Sequence, residues 1–258
     1  IFEVRDIWPL SAIELGGYSS KNLFIKHLQW LEDFAYKNST AVVTVLANAF
    51  DHMKTRGLTE DKFNYIPNGI SIEELNEVEK LEQNTINQIP KDKFIIGYAG
   101  TFGIANALDS FIKAAKILKE NDKIAFVLVG NGREKEKLLN LAKGYNNIYF
   151  VDAVKKNQVQ SVLEYFDVCY LGWKDENIYN YGIAANKLFD YMHSKKPILH
   201  SYSAKNDIVK LSNSGINVEA ENPQSISEGV LKLYNMNKEE RNQIGENARK
   251  YVVENHDY

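Results

Sequence analysis

From Phe94 onward, short apolar runs of strand character alternate with segments of helical spacing. FIIGYAG, ALDSFIKAAKILKE, AFVLVGNG, REKEKLLNLAKG and NIYFVDA are followed by QVQSVLEYFD, VCYLGW, NKLFDYMHS, PILHSY, NDIVKLSNS, INVEA and SISEGVLKLYN. Strands that each pass through a helix before the next strand call for right-handed crossovers and a parallel sheet covered on both faces. The pattern predicts an α/β domain with six strands, doubly wound and Rossmann-like. Its first helix is the clearest, because Leu108, Phe111, Ile112, Ala115 and Leu118 fall on one stripe.

Residues 1–68 show the same grammar in shorter form: FEVRDI, a helix near Asn22 to Tyr36, AVVTV, a helix near Ala47 to Arg56, and FNYIPN. Phe24, Leu28, Leu31 and Ala35 recur at helical spacing and are expected to form the buried face of the first helix. Three strands make a poor sheet alone, and the chain begins directly on one of them. The expectation is a partial N-terminal Rossmann-like domain whose upstream half is absent from this polypeptide. Residues 69–91 are polar and charge-rich and read as a linker with some helix. The second domain is placed at 92–237, and 238–258 reads as a helix without a Gly or Pro stop signal.

With 258 residues and 44% hydrophobic content, the chain can bury a sizeable core. No apolar run approaches the roughly 20 residues that span a bilayer, and IFEVRDIWPL lacks the features of a signal peptide, so a cytoplasmic location is expected. The single cysteine, Cys169, excludes a disulfide framework and a multi-cysteine metal site, and its apolar setting reads as a buried small hydrophobe. A net charge of −3 gives no electrostatic reason to expect nucleic acid. The doublets Lys155-Lys156 and Lys195-Lys196 read as solvated faces. His27, His52, His193, His200 and His256 are dispersed without metal-ligand spacing, so no metal is expected.

In an open parallel sheet, ligands bind beyond the carboxyl ends of the strands. The first strand of the second domain leads into Gly100-Thr101-Phe102-Gly103 and the second into Gly130-Asn131-Gly132. These are either places where backbone approaches a ligand closely or simply tight turns. The dinucleotide fingerprint is incomplete, since Lys135 stands where its third glycine should be. After the fourth strand, Asn186 and Lys187 open a helix. A lysine there is opposed by the helix dipole unless an anion sits nearby. With Asn186 as N-cap, other N–H groups remain for an outside acceptor. Either a phosphate is bound, or Lys187 pairs with Asp190 on an exposed face.

Four motifs in order carry a family resemblance: Phe63-Asn64-Tyr65-Ile66-Pro67-Asn68-Gly69-Ile70, Gly97-Tyr98-Ala99-Gly100-Thr101-Phe102-Gly103, Val127-Leu128-Val129-Gly130-Asn131-Gly132, and Asn186-Lys187-Leu188-Phe189-Asp190-Tyr191-Met192 with Lys196-Pro197. Their order and spacing resemble the GT4-type retaining glycosyltransferases of the GT-B fold. Asp6-Ile7-Trp8-Pro9 is similar to an element of the branch that builds capsular and O-antigen polysaccharides. The resemblance implies a nucleotide-sugar donor, a UDP-sugar, on the C-terminal domain and a lipid-linked or saccharide acceptor on the N-terminal, acceptor-side domain. It implies donor contacts at Gly100, Thr101, Phe102, Gly103, Gly130, Asn131, Gly132, Val154, Asn186, Lys187, Leu188 and Asp190. Arg5, Asp6 and Lys187 are the catalytic residues it implies, and Pro67, Asn68 and Gly69 mark the interdomain crossing. No metal or other cofactor is implied, because helix N-termini and basic side chains stabilise the departing diphosphate.

This chain departs from the family pattern in places. The two glutamates separated by seven residues would fall at Gly182 and Asp190, so only the second stays acidic, in shortened form. Asp190 is then expected to contact a donor ribose or to set the helix. The basic pair after the first C-domain strand is missing, since Thr101 to Ala107 contains no Arg or Lys. Arg5, where many relatives carry histidine, forms with Asp6 either a functional pair or an ordinary strand-end ion pair. Trp30 and Phe34 are expected to pack on the sheet, with peripheral contact at the inner face of the plasma membrane as the alternative. Trp173, Tyr179 and Tyr181 either stack on a base or sugar or pack within the loop. Besides the transferase reading, a noncatalytic nucleotide-sugar module or one subunit of a two-chain transferase, and a GT-B-fold nucleotide-sugar isomerase, stay open.

Overall fold

Nine strands form two parallel sheets in a computed structural model that describes residues 1–258, the side chain of residue 76 excepted. β1 (Phe2–Val4), β2 (Val42–Thr44) and β3 (Phe63–Tyr65) make a three-stranded sheet in the order β1-β2-β3. β4 (Phe94–Ala99), β5 (Ile124–Val129), β6 (Ile148–Val151), β7 (Val168–Gly172), β8 (Ile198–Ser201) and β9 (Gly215–Val218) make the second, in the order β6-β5-β4-β7-β8-β9. That order, with every pairing parallel, is the doubly wound arrangement predicted from the alternation. The chain divides into two compact units: residues 1–68, 175–185 and 204–206 form one, and 69–174, 186–203 and 207–258 the other.

The core of the second unit follows from its strands. β4, β5 and β7 are almost continuously buried, as strands covered on both faces must be. The helix Leu108–Ile117 lays Leu108, Phe111, Ile112 and Ala115 onto them, and Leu118 just beyond it is also buried, which is the stripe expected from the sequence. Phe111 stacks on Tyr170 with centroids 4.1 Å apart. The helix Lys238–His256 is started by a reciprocal capping box between Asn237 and Glu240. It stops at His256, whose carbonyl accepts from Ile70 N at 2.7 Å, while Tyr258 Oη accepts from Gly69 N at 3.2 Å. Cys169 is fully buried, and burial pushes its thiol up to about 12, so it behaves as a small apolar side chain.

The helix Leu23–Asn38 of the first unit corrects one expectation. Its buried residues are Ile25, Glu32 and Tyr36; Phe24 and Leu31 are 58% and 42% exposed, and Leu28 and Ala35 are only partly buried. The inward face carries a polar cluster instead. Tyr36 Oη donates to Glu32 Oε1 at 2.9 Å, Gln29 donates to the same carboxylate, and His52 Nε2 lies 3.3 Å from it. Hydrophobic periodicity placed the stripe about a quarter turn away, because it counts apolar residues and cannot count a satisfied glutamate as buried. Trp30 and Phe34, expected to pack on the sheet, are 57% and 53% exposed.

Candidate functional site

β4 and β7 are neighbours, yet their following connections run to opposite sides of the sheet, so a crevice opens at the carboxyl ends of these two strands. A cavity of about 440 Å³ lies there. Gly100 and Thr101 after β4, Gly130 and Asn131 after β5, and Val154 after β6 line it, together with Lys187, Asp190 and Tyr191 from the helix Asn186–His193. Most of the residues assigned to donor binding from the sequence therefore converge on one edge of one sheet.

The two glycine loops are stitched together. Gly100 N donates to Val129 O at 3.0 Å, Phe102 N to Asn131 O at 2.8 Å, and Glu134 N to Phe102 O at 3.1 Å. A Cβ on Gly130, where φ is 145°, would stand 2.0 Å from Gly100 O. The glycine there is required by loop-on-loop packing. Phe102 and Leu188 are buried in the core, so only their backbones are available to a ligand. Gly103 and Gly132 do not line the cavity. Asn186 is exposed and is the first residue of its helix, which shifts the cap position to Ala185, a residue without a side-chain acceptor.

Lys187 occupies the centre of this edge. Its Nζ donates to Tyr98 Oη at 3.0 Å and to Asn106 Oδ1 at 2.5 Å, and it lies 5.0 Å from the Tyr98 ring centroid. No ion pair joins it to Asp190 or to any other carboxylate among the described residues. The exposed i, i+3 pair is thus replaced by a desolvated cation with neutral partners. Burial pulls its pKa down to about 8. Two of its three N–H groups are engaged, and the third has no partner among the described residues. Asp190 is the reverse case: burial raises its carboxyl to about 6, and among the described residues neither a hydrogen bond nor an ion pair reaches its carboxylate oxygens. Tyr191 clamps the end of β4, its hydroxyl accepting from Ala99 N at 2.9 Å and donating to Ala99 O at 3.0 Å.

Sequence reasoning missed Tyr98 and Asn106. Tyr98 reads as an ordinary strand residue, and Asn106 as a loop residue in a stretch noted only for lacking Arg and Lys. Trp173, for which stacking on a ligand and packing within the loop were both open, donates through Nε1 to His200 Nε2 at 3.1 Å, and His200 Nδ1 is 2.7 Å from Asp207 Oδ1. His193 is buried with neither ring nitrogen hydrogen-bonded, and burial lowers its pKa to about 4. No group of His, Cys, Asp or Glu among the described residues has the arrangement of a metal site.

The first unit holds Arg5 and Asp6 in a larger cavity of about 670 Å³, walled by Trp8, Leu28, Leu31 and Phe34. Arg5 Nε donates to Glu3 Oε1 at 2.8 Å. Desolvation raises the Asp6 carboxyl. Tyr179 and Tyr181 also group with this unit, and Tyr181 lies against His52. Gly182, at the position of the first family glutamate, has φ 122°, and a Cβ on it would stand 3.0 Å from Ala47 N, so a side chain is excluded by strain as well as space. Pro67 and Asn68 close the first continuous segment of this unit, and Gly69 opens the second unit.

Comparisons with known proteins agree with this architecture. The profile of the family described as Glycosyl transferases group 1 matches residues 79–251. An uncharacterized glycosyltransferase of Methanocaldococcus jannaschii, MJ1069, is 27% identical over 221 residues. The match covers 83% of this chain, which spans 54% of that protein's length. WaaG, a glycosyltransferase involved in lipopolysaccharide biosynthesis, superposes with a TM-score of 0.75 at 15% identity, over 97% of this chain and 70% of that one. HepE of Anabaena, solved in complex with UDP and glucose, superposes with a TM-score of 0.72 at 13% identity, over 99% and 67%. These neighbours carry the GT-B fold, and the present fold is GT-B-like. No helix of the described residues is long and apolar enough to cross a membrane. The extent of the family match across the second unit, crevice included, makes this chain a member of the group 1 glycosyltransferases.

Proposed function

We propose that the second unit binds the diphosphate of a nucleotide sugar, a UDP-sugar, and that the chain serves a GT4-type retaining transfer of the sugar to a lipid-linked saccharide during capsule or O-antigen assembly. One observation carries the reading: a desolvated lysine at the switch point of the sheet, held by two neutral groups and with one N–H uncommitted. An anion there would complete its coordination and restore its charge. HepE was solved with UDP and with UDP-glucose in the same fold, which supports a nucleotide-sugar ligand.

In the transfer, the bond from the anomeric carbon to the diphosphate oxygen breaks and a bond from that carbon to the acceptor oxygen forms; the acceptor hydroxyl proton passes to the departing diphosphate. The diphosphate departs carrying the bonding electrons, and Lys187 stabilises the charge that develops on it. No metal is required for this role. Asp190 contacts the donor ribose, which accounts for a desolvated carboxylate without a hydrogen-bonding partner among the described residues. Arg5 and Asp6 serve the acceptor side. The site of action is the cytoplasm, with peripheral contact at the inner face of the plasma membrane through the exposed Trp30 and Phe34.

Calorimetry with UDP and with uridine, both in the presence of a chelator, tests the reading. UDP is expected to bind more tightly than uridine, and Lys187→Ala to remove that difference. A charge-assisted hydrogen bond is worth about 1.5 to 3 kcal/mol, against about 0.2 to 1 for an exposed ion pair. Equal loss for both ligands, or binding only with added divalent metal, would overturn it.

A further inference from the structure

Lys187 is a long, flexible side chain, yet it is held at both of its engaged N–H groups by partners that converge on one backbone atom. The carbonyl oxygen of Thr101 accepts from Tyr98 Oη at 2.7 Å and from Asn106 Nδ2 at 3.0 Å. Because the Tyr98 hydroxyl proton is committed to Thr101, its oxygen lone pairs face Lys187 Nζ. Because the Asn106 amino group is committed to the same carbonyl, its Oδ1 is turned toward Lys187 Nζ at 2.5 Å. The amide has one orientation that satisfies both ends. Asn106 is 8% exposed and ends a 3-10 turn, Ile104–Asn106, which is closed by Ala107 in the left-handed region at φ 45°. A non-glycine residue held there is strained, and such strain persists only where surrounding contacts over-determine it.

We infer that Asn106, with Tyr98, is a positioning residue that fixes the direction in which Lys187 presents its uncommitted N–H to a diphosphate, in a loop that has no cation of its own. This role rests on the reading of Lys187 as the diphosphate's cation. A neutral acceptor suits the task. A carboxylate at the same place would hold the lysine more firmly but would compete with the diphosphate for its charge. The other ionisable groups lining the cavity are Asp190 and Tyr191, both on the Lys187 helix, and the group facing it from β4 is Tyr98.

The test uses the whole chain, with UDP and uridine as probes, titrated by calorimetry between pH 6.5 and 9.5. Asn106→Ala is expected to weaken UDP by about tenfold and uridine by less than about twofold, the loss of one charge-assisted contact's ordering effect. Asn106→Asp, close to isosteric, guards against a variant that fails to fold. It is expected to weaken UDP at pH 7 while moving the alkaline loss of UDP affinity upward by about a pH unit or more, because an adjacent carboxylate favours the charged lysine. An asparagine side chain that did not face the lysine in solution would not move that limb, and the loss of UDP over uridine in Asn106→Ala separates positioning from a purely structural role. Equal weakening of UDP and uridine, or an alkaline limb of Asn106→Asp at the wild-type position, overturns the role. Should the wild type bind UDP no better than uridine, the diphosphate reading falls and the positioning role with it. Should Lys187→Ala abolish the difference while Asn106→Asp leaves it untouched at every pH, the positioning role alone falls.

Discussion

Lys187 is expected to couple pH to stability and, on its proposed role, to binding with opposite signs. Its pKa in the fold is lowered from 10.5 to about 8 by burial, so between these values the unfolded chain binds the proton that the folded chain has released. Stability therefore rises with pH through this window, since it rises wherever the unfolded state holds more protons. On the proposed role of this lysine, diphosphate affinity is expected to need the charged form and to fall as pH passes about 8. Titrating tyrosines also affect stability at high pH, so the useful measurement is the Tm difference between Lys187→Met and wild type. Lys187→Met is expected to be more stable at pH 7, with the gap closing toward pH 9.5. A gap independent of pH would mean that the lysine is not desolvated in solution. Asp190 presents the complementary case, its folded pKa raised from 3.8 to about 6. Its contribution to stability is present below pH 3.8 and lost as pH rises through 6. Asp190→Asn should then stabilise the protein at pH 7 by about 1 to 3 kcal/mol while weakening UDP and uridine together, as a ribose contact requires. Loss of stability in that variant would show that the carboxylate is a structural element of its helix.

Among the elements, the glycine loops separate two uses of the same residue. Gly130→Ala would drive a Cβ to within 2.0 Å of Gly100 O and push the two loops apart, whereas a Cβ on Gly103 meets only Asn106 Nδ2 at 3.5 Å. The first substitution is expected to cost about 1 to 3 kcal/mol, a fall in Tm of several degrees by thermal denaturation, and the second to be near neutral. Equal effects would mean that the loops are not packed as described. From sequence, the strand and helix alternation was enough to identify all six strands of the larger sheet, because buried parallel strands are continuous apolar runs and each is bounded by turn residues. It was enough to bring Gly100, Gly130 and Lys187 to one edge, while Val154 and Asp190, which share that cavity, were assigned through the family resemblance. It failed on the face of Leu23–Asn38, where a buried glutamate carries the packing, and on Tyr98 and Asn106, whose role exists only through contacts to residues 81 and 89 positions away. Pairings of that range leave no local pattern to read.

At the scale of the whole molecule, the two units differ in how complete a scaffold they present. The second has a six-stranded sheet with a core on both faces, a crevice and a poised cation; the first has three strands of three residues each. The first also leaves Leu23, Phe24, Trp30 and Phe34 more than half exposed, beside a cavity of about 670 Å³. Contiguous apolar surface of this kind is normally covered by further structure or by a partner. Sugar transfer needs more than donor binding. Holding an acceptor hydroxyl against the anomeric carbon can contribute about 7 to 11 kcal/mol to lowering the barrier, and only when the wall that holds it is rigid and correctly placed. The present chain is therefore expected to bind UDP and UDP-sugars yet to transfer no sugar to a lipid-linked acceptor, releasing UDP only slowly by hydrolysis. The comparison is with a polypeptide of the length of MJ1069, of which this chain spans 54%. Assayed side by side for acceptor-dependent release of UDP, the longer protein should turn over and this chain should not. Acceptor-dependent turnover by this chain would show that the three short strands and the exposed helix already constitute an acceptor site, and that the apolar face of Leu23–Asn38 is part of it.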